Sequence, residues 1–186
     1  MAAPPTPLAP GTVLIAEPAL RDPNFRRTVV LLCEHTAEGS FGLVLNRPSG
    51  LHLSDVLQAP LGFDADLFQG GPVQLDTLHF LHPYGETIEG ALPVLDGVWW
   101  GGDFDVALSQ IQDAAVDPDT IRFYAGYAGW GPDQLDEEVA QAGWVVRPGH
   151  ARLVYDSDAY LWRELVLALG GEYRLLANFP DDPSLN

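Results

Sequence analysis

The strongest constraint on the fold is a change of hydrophobic period within residues 121–144, IRFYAGYAGWGPDQLDEEVAQAGW. Over residues 121–127, apolar and aromatic side chains alternate with a period of two, which predicts a well-covered strand. Beyond the glycines the pattern becomes helical, with Pro132 predicted at the first helical position and Gly143 at the C-terminal stop. The residues that share the apolar face of this helix are Leu135, Val139 and Ala142.

The glycines of this block favour close packing over phosphate binding. A strand followed by a glycine turn and a helix N-terminus is typical of phosphate sites. However, the spacing of Gly126, Gly129 and Gly131 matches neither the dinucleotide fingerprint nor the P-loop, and no lysine follows. The acidic first turn of the helix also occupies the positive field that an anion would need. We therefore expect Gly126 and Gly129 to let backbone approach backbone closely.

The net charge of −17 disfavours direct binding to nucleic acid. It arises from 26 acidic residues against nine basic residues, all of which are arginine. Residues 1–50 hold four arginines and four acidic residues, so the remainder of the chain carries the whole excess. A field of this sign repels a phosphate backbone.

Length and composition predict a single cytoplasmic domain. A chain of 186 residues with 47% hydrophobic residues is long enough to bury one core. We predict that residues 1–10 are a disordered, proline-rich N-terminus rather than a signal peptide, and that residues 11–186 are one domain. No apolar run approaches the roughly 20 residues that span a bilayer, so no membrane is expected as a partner. The single cysteine, Cys33, lies in an apolar run and is predicted to be a buried thiol.

The rest of the chain predicts hairpins more often than βαβ units. Residues 28–34 read as an almost wholly apolar strand that is covered on both faces. The pair Asp96-Gly97 between two apolar runs is the strongest hairpin signal. A further hairpin is predicted from residues 144–146 and 152–155.

About three substantial helices accompany these strands. One covers residues 104–115, one belongs to the block described above, and one lies near the C-terminus. The predicted N-terminal caps are Asp103 or Asp105 for the first helix and Ser157 or Asp158 for the last. The fold class that follows is α+β, with a largely antiparallel or mixed sheet.

The glycine block also resembles a known family. The segment GYAGWGPDQLDEEV followed by GW is similar to the YqgE/AlgH family of bacterial proteins. Other segments that agree, in the family's order, are GTVLIAEPALRDPNFRRTVVLLCEH at 11–35, GLVLNRP at 42–48, GGPV at 70–73 and FPDDPSLN at 179–186. The resemblance implies a sheet that folds into a partly closed, barrel-like body. It supplies no catalytic residues, and the AlgH name reflects a proposed role in regulating alginate production.

No catalytic or metal-binding motif occurs in the sequence. H-E-x-x-H, C-x-x-C and G-x-S-x-G are all absent. His79 and His82 stand three positions apart in a predicted strand and therefore point to opposite faces, which makes them poor joint metal ligands. We accordingly predict no cofactor and no metal. Glu34 and His35 at a strand end are either a solvated turn or a polar cluster with Arg47.

The remaining candidate is a binding surface that a barrel-like body could gather at one rim. Its members are strand-end and turn residues: Glu34, His35, Asn46, Arg47, Gly70, Gly71, Tyr127 and Trp130. Exposed aromatic and arginine side chains at such a rim suit contact with a protein or a small molecule. The alternative for these residues is turn geometry and packing.

These observations favour a non-enzymatic binding or regulatory protein that acts through a protein or small-molecule partner, with any role in transcription indirect. Two alternatives remain open. One is a small-molecule hydrolase that uses His35 and nearby carboxylates. The other is a mainly structural protein that self-associates into a homo-oligomer.

Overall fold

Ten strands and six α-helices build the part of the chain that the structure, a computed structural model, describes: residues 6–57 and 61–177. The strands are β1 (Thr12–Ala16), β2 (Val29–Thr36), β3 (Gly39–Val44), β4 (Pro48–His52), β5 (Asp66–Gln69), β6 (Val73–His82), β7 (Leu92–Leu95), β8 (Val98–Trp100), β9 (Arg122–Trp130) and β10 (Trp144–Pro148). The helices are α1 (Leu53–Leu57), α2 (Phe104–Gln112), α3 (Gln134–Ala140), α4 (Ala151–Tyr155), α5 (Leu161–Leu169) and α6 (Tyr173–Leu176). The predicted α+β class is confirmed, and α2, α3 and α5 are the three substantial helices.

The strands form one curled sheet. Its main path runs β10-β1-β2-β3-β9-β6-β8-β7, with antiparallel neighbours throughout. Strand β5 joins β9 in parallel and carries β4 on its other edge. The sheet curls until β7 approaches the residue before β1, since a Cβ on Gly11 would lie 2.8 Å from the carbonyl oxygen of Val94. The predicted mixed, barrel-like and partly closed sheet is therefore confirmed.

Strand β9 is where the two parts of the sheet meet. One edge pairs with β6, and the other is shared between β5 at residues 123–125 and β3 at residues 128–130. Gly126 lies between these segments with a φ of 67°, and a Cβ there would stand 2.8 Å from the carbonyl oxygen of Val73. The close backbone approach predicted for Gly126 is confirmed. At Gly129 the prediction is wrong, because the nearest atom to an added Cβ belongs to the ring of Tyr127.

Two hydrophobic cores lie against the sheet. The larger one packs β1, β2 and β3 against the C-terminal helices through Val154, Trp162 and Val166. The smaller one packs β5, β6 and β9 against α1 and α2, where Ile111 and Phe123 are buried together. The apolar strand β2 belongs to the larger core, and its first five residues are buried as predicted.

The hairpin predicted from residues 144–146 and 152–155 is wrong. Residues 144–148 form β10, which pairs with β1, whereas residues 151–155 form α4 and bury only Val154. A run of five apolar and polar residues carries too little periodicity to separate a strand from a helix. The true partner of β10 lies near the other end of the chain, so no local turn signals the pairing.

The boundaries of α3 also differ from the prediction. The helix begins at Gln134, not at Pro132, and its cap residue Asp133 has a left-handed φ of 60°. A left-handed residue cannot continue a right-handed helix, so the helix starts after Asp133. After the helix, the left-handed residue is Ala142 with a φ of 57°, while Gly143 follows it.

The helix caps divide into one confirmed prediction and one correction. Asp103 caps α2, because its side chain accepts a hydrogen bond from the first turn at 3.0 Å. Ser157 does not cap α5, since its buried hydroxyl donates to the carbonyl oxygen of Leu45 at 3.2 Å. Asp158 does not cap α5 either, because the N-cap residue is Tyr160; the Asp158 carboxylate accepts from the backbone N–H of Tyr160.

The predicted disordered N-terminus lies partly outside the described residues, which begin at residue 6. Within the described part, Leu8 packs against the larger core. Thr12 Oγ1 donates to the carbonyl oxygen of Pro7 at 3.1 Å. The segment FPDDPSLN at 179–186 also lies outside the described residues.

Arg122 ties β9 to several segments around the larger core. Its Nη1 donates to the carbonyl oxygens of Tyr155 and Ser157 at 3.2 and 3.0 Å. Its Nη2 donates to the carbonyl oxygen of Leu45 at 3.3 Å and to the hydroxyl of Ser157 at 3.0 Å. The guanidinium carbon also lies 3.9 Å from the centroid of the Phe68 ring. One side chain thus connects β9, the end of β3, β5 and the turn before α5.

Replacing Arg122 with methionine is expected to lower the free energy of unfolding by about 3 kcal/mol, because several partly buried acceptors lose a charged donor. Urea denaturation measures the loss. Arg152→Met is the matched control, since the Arg152 side chain is 87% exposed and pairs with Asp156 at the surface. That control should lose less than about 1 kcal/mol. Equal losses in the two variants would contradict the role given to Arg122.

Candidate functional site

The eight predicted site residues do not gather at one rim. Strands β2 and β3 are antiparallel, so Glu34 and His35 at the end of β2 lie beside the start of β3. Asn46 and Arg47 follow the far end of β3 and lie beside the start of β2. The predicted polar cluster of Glu34, His35 and Arg47 is therefore wrong. A hairpin joins only the strand ends that flank its turn, and Arg47 follows the opposite end.

Asn46 and Arg47 brace the loop that precedes β2. Buried Asn46 accepts from the backbone N–H of Val29 and donates to the carbonyl oxygen of Arg27, both at 2.9 Å. Arg47 Nη2 donates to two backbone carbonyl oxygens of the same loop, each at 3.2 Å. Burial lowers the pKa of Arg47 from its usual range. These bonds give both side chains a packing role.

Gly70 and Gly71 allow the chain to pass close to β9. A Cβ on Gly70 would lie 2.3 Å from the carbonyl oxygen of Gly126. A Cβ on Gly71 would lie 2.1 Å from the carbonyl carbon of Tyr127. Neither position has room for a side chain, so both glycines serve the close approach.

Trp130 is buried and anchors α3. Its Nε1 donates to Oε2 of Glu138 at 3.1 Å, and the same oxygen accepts from Nε1 of Trp144 at 2.8 Å. Phe25 stacks on Trp130 with ring centroids 5.8 Å apart. A single carboxylate oxygen therefore fixes α3 against β9 and β10.

Tyr127 belongs to a group of partly exposed rings that we name the aromatic stack. Phe41 stacks on Trp100 with centroids 4.4 Å apart and on Tyr127 with centroids 4.7 Å apart. His79 meets Phe41 edge-on at 5.1 Å and Tyr127 at 5.7 Å. Aromatic pairs at such separations attract each other beyond the apolar area that they bury. The aromatic stack thus consists of Trp100, Phe41 and Tyr127, with His79 at its side.

The aromatic stack forms because Gly129 leaves space opposite Phe41. The two residues are directly paired in the β3–β9 ladder. Tyr127 lies two positions before Gly129 and therefore on the same face of β9. The rings of Phe41 and Tyr127 can meet over the glycine, an arrangement in which aromatic side chains cover an exposed backbone. A Cβ on Gly129 would lie 3.0 Å from Cε2 of Tyr127 and would displace that ring.

Two cavities adjoin the aromatic stack, one beside Phe41 and Tyr127 and the other beside His79 and Trp100. The first, here the acidic cavity, has a volume of about 390 Å³, and its walls include Glu34, Thr36, Glu38, Ser40, Tyr127 and Trp130. The second, here the apolar cavity, also has a volume of about 390 Å³, and its walls include Leu57, Leu78, His79, Phe80, Trp100 and Phe104. Both are large enough for side chains of a partner or for a small molecule. Of the predicted residues, Glu34, Tyr127 and Trp130 therefore share one cavity, and His35 lies at its edge.

A further cavity, of about 340 Å³, lies beside Arg122. His52 Nδ1 stands there between the carboxylates of Asp64 and Asp66, at 3.3 and 3.4 Å. Both terminal nitrogens of Arg122 already donate to protein acceptors, so they offer little to a bound anion. The charged groups at the mouth are largely exposed, which is typical of a solvated surface. The aromatic stack is therefore the stronger candidate site.

His35 lies between a hydroxyl and a carboxylate at the edge of the acidic cavity. Its Nδ1 is 2.8 Å from the hydroxyl oxygen of Ser40. Its Nε2 is 3.9 Å from Oδ2 of Asp136. Ser40, His35 and Asp136 thus follow the order of a catalytic triad, in which a hydroxyl is the nucleophile, an imidazole is the base and a carboxylate orients the base. The separation from Asp136 exceeds a hydrogen bond, so the carboxylate does not fix the imidazole.

His79 and His82 lie in different environments, as expected for side chains on opposite faces of β6. His82 Nε2 donates to the carbonyl oxygen of Gly101 at 2.8 Å, and its Nδ1 accepts from the backbone N–H of Tyr84 at 3.1 Å. One donor and one acceptor match a neutral imidazole, so His82 is a satisfied core histidine. Burial lowers the pKa of His79, and it lowers the pKa of His82 against the opposing bond to Gly101.

The remaining titratable groups carry no further site in the described part of the chain. The Cys33 thiol is buried as predicted, and burial raises its pKa. Within residues 6–57 and 61–177, no group of three or more His, Cys, Asp or Glu side chains is placed to hold a metal ion. Over the same residues, no helix has both the length and the apolar character needed to cross a membrane.

The free energy of unfolding is expected to fall as the pH is lowered from about 7.5 to about 5.5. His79 and His82 have lowered folded pKa values, so the unfolded chain takes up protons first. The stabilisation is complete above the unfolded pKa of about 6.5 and is lost as the pH falls below it. Urea denaturation at several pH values measures the slope. His79→Gln should flatten it, while the exposed control His150→Gln should keep it; an unchanged slope in His79→Gln would count against the assignment.

Comparison with known proteins identifies the family. The AlgH-like family model, DUF179, matches residues 13–174. A "UPF0301 protein" of Chlorobium limicola is 41% identical over 181 residues, covering 96% of each chain. Another from Cytophaga hutchinsonii is 39% identical and covers 96% of this chain and 100% of the relative.

Solved structures agree with this assignment. The solution structure of the AlgH protein from Pseudomonas aeruginosa matches with a TM-score of 0.74 and 32% identity, covering 97% of this chain and 100% of that one. A crystal structure of a protein from Corynebacterium diphtheriae has the same fold, with a TM-score of 0.74, 21% identity and 95% of each chain covered. The chain therefore belongs to the AlgH-like family, whose bacterial members include the UPF0301 proteins.

Proposed function

We propose that the protein is a non-enzymatic binding protein of the cytoplasm and that its partner docks on the aromatic stack. The observation that carries this proposal is a set of partly exposed, stacked rings beside two cavities. Aromatic side chains are enriched at binding interfaces and often dominate their energy. A partner that covers these rings removes apolar surface from water, at about 25 cal/mol for each Å².

The rigidity of the aromatic stack supports the same proposal. Phe41 and Tyr127 stand on paired strands, and His79 stands on the next strand of the sheet. Each ring contacts at least one other ring before any partner arrives. Side chains that are already ordered lose little conformational freedom on binding, which strengthens the affinity.

Any role in transcription is, in this proposal, indirect. The net charge of −17 opposes contact with duplex DNA, and Glu34 and Glu38 add negative charge beside the aromatic stack. The name of the solved relative AlgH motivates a regulatory role only through shared family membership. We assign the regulatory contact to the docked partner and not to nucleic acid.

Phe41→Ala is expected to weaken partner binding at least tenfold, which is about 1.4 kcal/mol, because it removes the central ring of the stack. Wild-type protein, Phe41→Ala and Tyr160→Ala are immobilised, and proteins retained from a bacterial lysate are identified. The affinity of each purified candidate is then measured by titration. Tyr160 is the matched control, because it is an aromatic residue with 69% exposure at the N-cap of α5 and is not part of the aromatic stack.

A candidate that binds wild type and Tyr160→Ala equally but loses affinity for Phe41→Ala supports the proposal. Phe41→Leu separates a binding effect from a folding effect, since it keeps apolar volume and removes only the ring. Retention of every candidate by Phe41→Ala with unchanged affinity would refute docking at the aromatic stack.

Ester or amide hydrolysis is the second candidate function, because Ser40 and His35 lie within 2.8 Å of each other. In this scheme the Ser40 oxygen attacks a carbonyl carbon, and His35 accepts the hydroxyl proton and passes it to the departing alcohol or amine as the ester or amide bond breaks. Water then hydrolyses the acyl-serine and releases the acid. The 3.9 Å separation between His35 and Asp136 argues against it, since the base lacks a firm orienting bond. We therefore favour binding over catalysis.

Purified wild-type protein is expected to hydrolyse short-chain p-nitrophenyl esters no faster than Ser40→Ala does, because the base is not oriented for proton transfer. Release of p-nitrophenol measures the rate. The control is Ser109→Ala, which alters an exposed serine of α2. Activity that is absent in Ser40→Ala and His35→Ala but present in Ser109→Ala would establish the hydrolase instead.

A further inference from the structure

We propose that the occupant of the aromatic stack is an extended basic segment of another protein. A lysine or arginine of this segment enters the acidic cavity, and an apolar side chain enters the apolar cavity. The inference rests on the function proposed above and adds the chemical class and spacing of the partner's contact residues.

The acidic cavity has the chemistry of a site for a cationic side chain. Glu34 and Glu38 are exposed carboxylates on its wall, and its described lining includes no arginine. Phe41 and Tyr127 supply aromatic surface beside them. A lysine or arginine here gains both a charged hydrogen-bond acceptor and the attraction of an aromatic face.

The apolar cavity has the opposite chemistry. Leucine, phenylalanine and tryptophan side chains form most of its described wall, and no carboxylate or guanidinium is among them. A charged side chain would lose its hydration here without gaining a partner. An aliphatic or aromatic side chain, in contrast, gains from leaving water. The two cavities therefore require different side chains from one ligand.

The length of the aromatic stack sets the distance between these side chains. The centroids of Trp100 and Tyr127 lie 4.4 and 4.7 Å from that of Phe41, so the three centroids span at most about 9 Å. Two side chains that are two residues apart on one face of an extended chain are separated by about 7 Å, which does not clear three rings. Side chains four residues apart are separated by about 13 Å and reach beyond both outer rings. The expected motif is thus a basic and an apolar residue four positions apart.

Charge selects this occupant over other macromolecules. A net charge of −17 repels a second copy of the chain and repels nucleic acid. The same field attracts a basic segment and raises the rate at which it arrives. The carboxylates of the acidic cavity then provide a local contact that a uniform field cannot.

The test uses purified full-length protein and labelled synthetic peptides whose binding is followed by fluorescence anisotropy. The probe peptide carries one lysine and one leucine four positions apart in a glycine-serine background. Comparison peptides carry glutamate in place of lysine, serine in place of leucine, or the lysine and leucine two positions apart. The protein variants are wild type, Phe41→Ala, the double variant Glu34→Gln/Glu38→Gln and the control double variant Glu164→Gln/Glu172→Gln. The two double variants change the net charge equally, and the control residues lie on α5 and at the N-cap of α6.

The probe is expected to bind wild type and the control double variant alike, and to bind Glu34→Gln/Glu38→Gln and Phe41→Ala at least tenfold more weakly. Each comparison peptide should also bind wild type at least tenfold more weakly. If both double variants lost the same affinity for the probe, net charge alone would explain the effect, and the proposal would be overturned. Equally tight binding of the glutamate peptide, lost in Phe41→Ala, would overturn the basic partner while leaving docking at the aromatic stack intact. No binding of the probe up to about 1 mM would overturn the proposal, and the partner titrations with Phe41→Ala would decide the proposed function separately.

Discussion

The fold depends on a partly buried guanidinium. Arg122 donates to acceptors from two separate segments, Leu45 and residues 155–157, and lies over the ring of Phe68. Backbone carbonyls and one hydroxyl accept these bonds, so the two terminal nitrogens have their acceptors only when β9, the end of β3 and the turn before α5 are all in place. An arginine suits this position because its planar group presents several donors in fixed directions. The two cores meet at the common sheet, and the Arg122 partners Leu45, Phe68 and Tyr155 lie in or against the larger one.

The glycines of β9 have separate structural roles that converge on the candidate site. Gly126 and the neighbouring Gly71 allow backbone segments to pass closely, which fixes the path of β6 against β9. Gly129 instead leaves an open position on the sheet surface, and the rings of Phe41 and Tyr127 fill it. Each glycine of β9 therefore has its own role. Gly126 serves close packing, whereas Gly129 makes room for the rings of the candidate site.

Sequence patterns predict the parts of this fold whose signals are local. The apolar run of β2, the Asp-Gly turn between β7 and β8 and the cap of α2 each lie within a few neighbouring residues. The pairing of β10 with β1 depends on a distant partner, and α4 is too short for its period to be read. The same limit applies to the site. The sequence alone identifies Tyr127 as a site residue. Phe41, His79 and Trp100 join it only through the register of the strands. The local sign of this register in the sequence is Gly129, a glycine within an aromatic strand.

The pairing of β1 with β10 affects how the chain reaches its native state. Thr12 stands opposite Pro148, so the second strand of the sheet path can acquire its outer neighbour only after most of the polypeptide has been made. Contacts between such distant positions require closure of a long loop and slow the search for the native topology. During synthesis at the ribosome, the apolar strands β1 and β2 emerge long before β10 can cover that edge. The nascent chain therefore passes through a period in which an unpaired strand is open to contact with other chains or with chaperones.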